Sequence, residues 1–165
     1  MSEEIRNKAK HIKLLLTDCD GVLTDGGVYY GEEGEVLKKF NIKDGMGVER
    51  LRNFAQIQTG IITGEVSASV IKRAEKLQIS ELHLGIKDKV SILIQIMVNH
   101  NLTREQIAYI GDDVNDIGIM QKVGLTACPA DAIIFTKEIA DYVCKAKGGE
   151  GCFREFAELI ISSKI

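Results

Sequence analysis

The chain has 165 residues, 45% of them hydrophobic and 27% charged, and a formal net charge of −3. That balance fits a single globular domain spanning 1–165, with no Pro- or Ser-rich linker, and excludes a disordered chain. Interspersed signs without a basic stripe exclude a nucleic-acid surface, no apolar run approaches membrane-spanning length, and MSEEIRNKAKH has acids where a secretory leader needs a basic start, so a cytoplasmic protein without membrane partners is expected.

Residues 1–11 read as a short polar helix or tail, with Ser2 as a cap and Glu3 and Glu4 suited to the first turn. The run Leu14 to Leu16 then lacks polar alternation and ends in Asp18, Asp20 and a glycine. A strand apolar on both faces is a central strand of a parallel sheet, and ligands of such sheets bind at the carboxyl ends of strands. Two carboxylates one residue apart repel unless a cation lies between them, and a hard divalent ion with oxygen ligands is the natural candidate. The plainer alternative is an Asp-rich turn.

Val28 to Tyr30 and Val36 to Phe40 flank GEEGE, whose glycines suit a hairpin, and the aromatic content there favours self-association. From Asp44, placed as an N-cap, Met46, Val48, Leu51, Phe54 and Ala55 fall at helical spacing. The strand QTGIIT ends at Thr63, and Gly64 turns the chain into a helix from about Val66 to Leu77 with Val66, Val70, Ala74 and Leu77 as its buried face. Leu82 to Leu84 form a short strand, and Lys89 opens a helix carrying Val90, Leu93, Ile94 and Met97. Thr103 with Gln106 reads as a capping box before the strand Ile107 to Gly111. GDDVND follows, so a second strand ends in carboxylates: Asp112, Asp113 and Asp116. A strand at 125–127, a helical stretch at 132–139, a strand at 142–144, a freely bending GGEG loop and a terminal helix complete the chain. Five or six strands alternating with helices predict an α/β fold, a Rossmann-like three-layer sandwich around a mainly parallel sheet with a protruding hairpin. The cysteines Cys19, Cys128, Cys144 and Cys152 form no C-x-x-C pair and read as reduced thiols.

Carboxylates on one strand tip, a hydroxyl on the next, a lysine further on and carboxylates on a later tip suit phosphoryl transfer. Asp18 would attack phosphorus and form an aspartyl phosphate, with Asp20 as general acid and then base. Mg2+ would be held by Asp18, Asp112 and the backbone carbonyl of Asp20, supported by Asp113 and Asp116. Thr63, Gly64 and Lys89 would hold the phosphate oxygens. Taken singly, Thr63 reads as a cap, Lys89 as a surface charge, and Asp113 and Asp116 as N-caps of a helix starting near Asn115.

In that order, DCDGVLTD, IITG, Lys89 in IKDK and GDDVND resemble the four motifs of the haloacid dehalogenase superfamily of phosphatases. DGGVYY, FNIKDG, VGL, PADA and GGEGxxRE extend the resemblance to its small branch without a cap domain, which acts on 3-deoxy-D-manno-octulosonate 8-phosphate or nonulosonate 9-phosphates. The resemblance implies a magnesium-dependent phosphomonoesterase for a small sugar acid phosphate. It also implies a homotetramer assembled by its hairpins, with a C-terminal tail near a neighbouring active site. One departure bears on substrate: octulosonate-8-phosphate phosphatases commonly carry Arg after the Thr-Gly, whereas this chain has Glu65, and Glu65 with Arg73 and Lys76 resembles the nine-carbon pattern. Arg73 and Lys76 would then hold the substrate carboxylate and Glu65 its hydroxyls, with plain helix-surface charge as the alternative. Arg154, behind the glycine loop, would contact an anionic substrate or fix the tail. Two other classes share parts of this pattern: a receiver-like domain, and a non-catalytic tetramerising module associated with a sialate-activating enzyme.

Overall fold

In the computed structural model, which describes residues 2–164, the strands in chain order are β1 (Leu14–Thr17), β2 (Thr24–Gly31), β3 (Gly34–Phe40), β4 (Gln58–Ile62), β5 (Glu81–His83), β6 (Ile107–Ile110), β7 (Leu125–Cys128) and β8 (Tyr142–Val143). β2 and β3 form a separate antiparallel hairpin, and the other six make one wholly parallel sheet in the order β5-β4-β1-β6-β7-β8. All four residues of β1 are buried, as its unbroken apolar run demands. The chain leaves β1 first toward β4 and β5 and later toward β6, β7 and β8. That reversal opens a crevice at the carboxyl end of β1.

The helices are α1 (Glu3–Lys10), α2 (Ile42–Arg50), α3 (Ala68–Leu77), α4 (Lys89–His100), α5 (Ile117–Met120), α6 (Ile134–Ile139) and α7 (Cys152–Lys164). Alternate strand residues feed two cores. Leu15, Ile61, Ala108 and Ile110 pack with Val48, Leu51, Phe153 and Phe156 on one face. Leu14, Leu16, Ile62, Ile107 and Tyr109 pack with Leu93, Ile96, Ile119 and Met120 on the other. This is the three-layer arrangement expected from the strand and helix alternation. Ser2 caps α1, Thr103 and Gln106 form the expected capping box, and all four cysteines are buried free thiols.

Several local expectations are corrected. The N-cap of α2 is Asn41, whose side chain accepts the Lys43 N–H at 2.8 Å, so Asp44 lies inside the first turn. α2 then widens over Leu51–Ala55, where the Gln56 N–H reaches the Leu51 carbonyl. Phe54 is turned into solvent, and Met46 is also exposed. Val66 is exposed because Ser67, accepting the Val70 N–H, caps a helix that starts two residues later, at Ala68; Val70, Ala74 and Leu77 do form the buried face. Ile94 is exposed on α4, whose core contacts come from Leu93 and Ile96.

The largest correction concerns the glycine loop at 148–151. The expected terminal helix is α7, which buries Phe153, Phe156, Ala157 and Ile160 in the main core, but the loop before it, expected to bend freely, is packed in place. The Gly149 N–H donates to the Val22 carbonyl at 2.9 Å, and a Cβ on Gly148 would land on the Gly21 carbonyl. The glycines permit close approach to the Asp20 loop of the same subunit. A chain cut before Lys147 should therefore fail to fold, rather than remain assembled as a loose-tail reading requires, and circular dichroism of that truncation checks this.

Asp44 fastens α7 from α2: its Oδ1 accepts the Arg154 N–H at 3.0 Å. Burial pushes this carboxyl up to about 6, against the pull of the Arg154 and Gly151 backbone N–H groups and of Arg73. The folded chain thus holds this proton more tightly than the unfolded chain does. As pH rises from about 4 to about 6 the unfolded state ionises first, so Asp44's contribution to stability falls, and the cost is fully present above that window. Compared with Asp44→Asn, the wild type should lose on the order of 3 kcal/mol between pH 4 and pH 7. Urea unfolding of both proteins at the two pH values measures it.

Candidate active site

Three strand ends meet at the crevice. The Asp18 N–H continues the β1 ladder by donating to the Ile110 carbonyl at 3.0 Å, which brings Asp18 beside the β6 tip and its Asp112. The Thr63 N–H donates to the His83 carbonyl at 3.0 Å, setting its hydroxyl at the end of β4. Asp18, Asp20, Thr63, Gly64, Asp112 and Asp113 line a cavity of about 300 Å³, with Glu65 and Asn115 at it as well. The hairpin supplies a wall through Val28, Tyr30, Glu35 and Lys38.

Beneath Asp18 lies a buried ionic cluster centred on Lys89, the first residue of α4, which is 3% exposed. Its ammonium donates to Asp18 Oδ1 at 2.9 Å, to Asp116 Oδ1 at 2.7 Å and to the Tyr109 hydroxyl at 3.1 Å. An ammonium has three N–H donors, and all three are engaged. Lys89 therefore lies under the cavity and orients Asp18, where direct contact with phosphate was expected. Asp116 is saturated too: Oδ1 also accepts the Tyr109 hydroxyl at 2.6 Å, and Oδ2 accepts the Asp112 and Asp113 N–H groups at 2.9 and 3.3 Å. Four donors meet its four lone pairs, so Asp116 braces the loop beside Asp18 and Asp112. Asp113 caps the turn Val114–Asp116, accepting the Val114 N–H.

The donor set fits a hard cation. One carboxylate oxygen each from Asp18, Asp112 and Asp116 lies within 4.8 Å of the others. One ammonium does not balance three carboxylates. Burial, then Asp116, pushes Asp18 up to about 6 despite Lys89, and burial, then Asp18 and Asp116, pushes Asp112 up to about 8. Gly21, at φ +83°, could not carry a Cβ without striking the Asp112 carboxylate, which therefore rests against the Asp20–Gly21 peptide. A divalent ion would relieve this crowding.

Three expected substrate contacts are not at this cavity. Arg73 donates to the Asn41 carbonyl at 2.9 Å and lies over the Phe40 ring, because α3 carries it away from the β4 tip. Lys76 lies in the last turn of the same helix and is exposed. Arg154 is held by Glu158 at 2.7 Å, on the α7 surface. Conversely, Tyr109, Lys38 and Glu35 were missed. Tyr109 looked like one more apolar strand residue, and Lys38 in VLKKF is indistinguishable from its exposed neighbour Lys39 until the hairpin is folded.

The family model for haloacid dehalogenase-like hydrolases matches residues 62–155. The 3-deoxy-D-manno-octulosonate 8-phosphate phosphatase of Haemophilus influenzae is 36% identical over 97% of this chain and 88% of its own length. That of Escherichia coli K12 is 38% identical over 98% and 85%. Among solved structures, the same-named enzyme of Moraxella catarrhalis, in complex with magnesium, phosphate and KDO, superposes with a TM-score of 0.95 at 37% identity, covering 99% of this chain and 94% of that one. The Yersinia pestis phosphatase gives 0.96 at 38% identity, covering 99% and 88%.

Charge relief by a cation makes a thermal prediction. At about a hundredfold excess over its dissociation constant, Mg2+ should raise the wild-type melting temperature by roughly 5–10 °C. Asp112→Asn should melt above the wild type in chelator at pH 9, because one crowded carboxylate is gone, and should lose most of the Mg2+ response. Calorimetry of the two proteins with and without the ion reads both effects.

Proposed function

The chain belongs to the haloacid dehalogenase-like hydrolases and is a phosphoric monoester hydrolase, and on that premise we propose that it removes phosphate from a 2-keto-3-deoxy sugar acid phosphate, 3-deoxy-D-manno-octulosonate 8-phosphate, with Asp18 as nucleophile. The observation that carries this reading is the Lys89–Asp18 pair at 2.9 Å under a cavity shared with Asp20, Thr63 and Asp112. The relatives named for that substrate support it. Glu65 at the cavity favours a second reading in which the substrate is a nonulosonate 9-phosphate.

Lys89 holds Oδ1 of Asp18, which leaves Oδ2 to attack phosphorus. The phosphorus–oxygen bond to Asp18 forms as the bond to the sugar oxygen breaks, and Asp20 gives its proton to the leaving alkoxide. In the second half Asp20 takes a proton from water, whose oxygen displaces Asp18 from phosphorus. Thr63 Oγ1, which accepts the Glu65 N–H at 3.4 Å, keeps its own hydrogen to donate to a phosphate oxygen. Asp18 and Asp112 would hold Mg2+, whose positive charge would offset repulsion between carboxylate and phosphate.

A sugar acid also brings a carboxylate, and the only cation lining the cavity among the described residues is Lys38, already paired with Asp20 and Glu35. The missing cation would come from a neighbouring subunit. The hairpin exposes Tyr29, Tyr30, Val36 and Leu37, an apolar surface suited to a closed homotetramer. The glycines 148 and 149 and the apolar face of α7 pack within their own subunit.

Asp18→Asn should bind substrate yet lose turnover by about a thousandfold or more, since the covalent route is gone. Octulosonate 8-phosphate should exceed hexose phosphates in kcat/KM by at least about a hundredfold. A panel including nonulosonate 9-phosphates separates the two readings, and equal rates on hexose phosphates would overturn both. Glu65→Arg should lower kcat/KM for the nine-carbon substrate more than for the eight-carbon one if Glu65 reads distal hydroxyls.

A further inference from the structure

We propose that Lys38, on the hairpin strand β3, is a positioning residue that holds Asp20 in the orientation needed for proton transfer. The inference rests on the acid and base role given to Asp20 above. Its starting point is an expensive placement: the Lys38 side chain is 0% exposed, and its ammonium contacts Asp20 Oδ1 at 2.7 Å and Glu35 Oε2 at 3.2 Å. Taking an ammonium out of water costs several kcal/mol, and a buried pair seldom returns more stability than an apolar side chain of the same volume would. A hairpin wall needs no charge there for folding. Methionine would fill the space.

What the placement does achieve is asymmetric restraint of one carboxylate. Asp20 Oδ1 is held by Lys38 and, at 3.4 Å, by the Thr24 hydroxyl, whereas Oδ2 has no protein partner among the described residues. Asp20 lines the cavity, so the unheld oxygen is the one left to exchange a proton there. With Oδ1 fixed, the carboxylate cannot swing round and join Asp18 and Asp112 as a further charged group. The anchor extends beyond Lys38. Glu35 Oε1 accepts the hydroxyl of Ser67, the N-cap of α3, so the hairpin, the Asp20 loop and the helix after Thr63 are tied through one chain of charge-assisted hydrogen bonds. Lys38 keeps its three protons throughout. The proton lost by Asp20 goes to the leaving sugar oxygen, and the one regained comes from water.

A residue acting through Asp20 should matter most where the leaving group needs a proton. Lys38→Met should lower kcat for 3-deoxy-D-manno-octulosonate 8-phosphate by about 10- to 100-fold, with KM changed by less than about threefold. 4-Nitrophenyl phosphate, whose leaving group departs as an anion unaided, should lose several-fold less. In an Asp20→Asn background, the same Lys38→Met change should have almost no further effect, since the group it positions is gone. Equal losses on the two substrates, or a full additional loss in the Asp20→Asn background, would overturn the proposal. Should Lys38→Met melt too low to assay, Glu35→Gln leaves the lysine in place and should show the same substrate split at smaller amplitude. Wild-type turnover by Asp20→Asn alone would instead overturn the acid and base assignment of Asp20, a result distinct from failure of the Lys38 arm.

Discussion

The Lys89 ammonium, enclosed by Asp18, Asp116 and the Tyr109 hydroxyl, is the interaction on which the rest of the site depends. A charge this deeply buried persists only because every donor finds an acceptor, and each partner is fixed in turn. Tyr109 comes from β6, Asp116 from the turn after it, and Asp18 from the tip of β1. With Lys89 itself at the start of α4, three stretches far apart in sequence, at 18, 89 and 109–116, thereby meet at one atom. Removing Lys89 would leave two buried carboxylates facing each other, a loss of several kcal/mol. Burial by itself lowers a lysine's affinity for its proton; here Asp18 and Asp116 more than reverse that, and the ammonium stays charged.

The same cluster explains why the cavity wants a divalent cation. Lys89 balances one charge and Asp116 is saturated by four donors, so Asp18 and Asp112 are left crowded and under-compensated. The protein tolerates this because the sheet, not the carboxylates, holds the strand tips together. β1 pairs with β4 and β6 along its whole length, and both cores close over it. Folding free energy from those cores is spent on keeping like charges close.

The architecture was legible from the sequence because its strongest signals are physical necessities: an unbroken apolar strand, carboxylates at its tip, and helical spacing between strands. Asp18, Asp20, Thr63, Gly64, Glu65, Asp112 and Asp113 do gather at one cavity. Less legible was where a long side chain ends. Lys89 was expected in the cavity and lies below it, since three buried acceptors outbid the open side. Arg73 and Lys76 share a helix with the strand tip but lie too far along it. Lys38 and Lys39 are adjacent and chemically identical, and only the hairpin's orientation buries one and exposes the other. The α2 start was misplaced because Asn41 and Asp44 are both competent caps, and the helix takes the earlier one when the later carboxylate is claimed by Arg154.

That claim on Asp44 shows how the end of the chain and the catalytic loop depend on each other. The turn 19–25 that carries Asp20 is held by N–H groups of Val22, Leu23 and Thr24 on the Cys19 carbonyl and by buried Val22 and Leu23, and it is backed by glycines 148 and 149, which approach the Gly21 and Thr24 backbone more closely than any side chain would allow. Asn41 donates to the Gly149 carbonyl at 3.0 Å while its own carbonyl receives Arg73, joining the hairpin's end, the glycine turn and α3. α7 in turn holds the glycine turn through the core contacts of Phe153 and Phe156. In a phosphatase without a cap domain, rigidity of the Asp20 loop cannot come from a closing lid. Here it comes from behind, from a helix that the fold needs anyway, so the packing of α7 and the backbone under Asp20 stand or fall together.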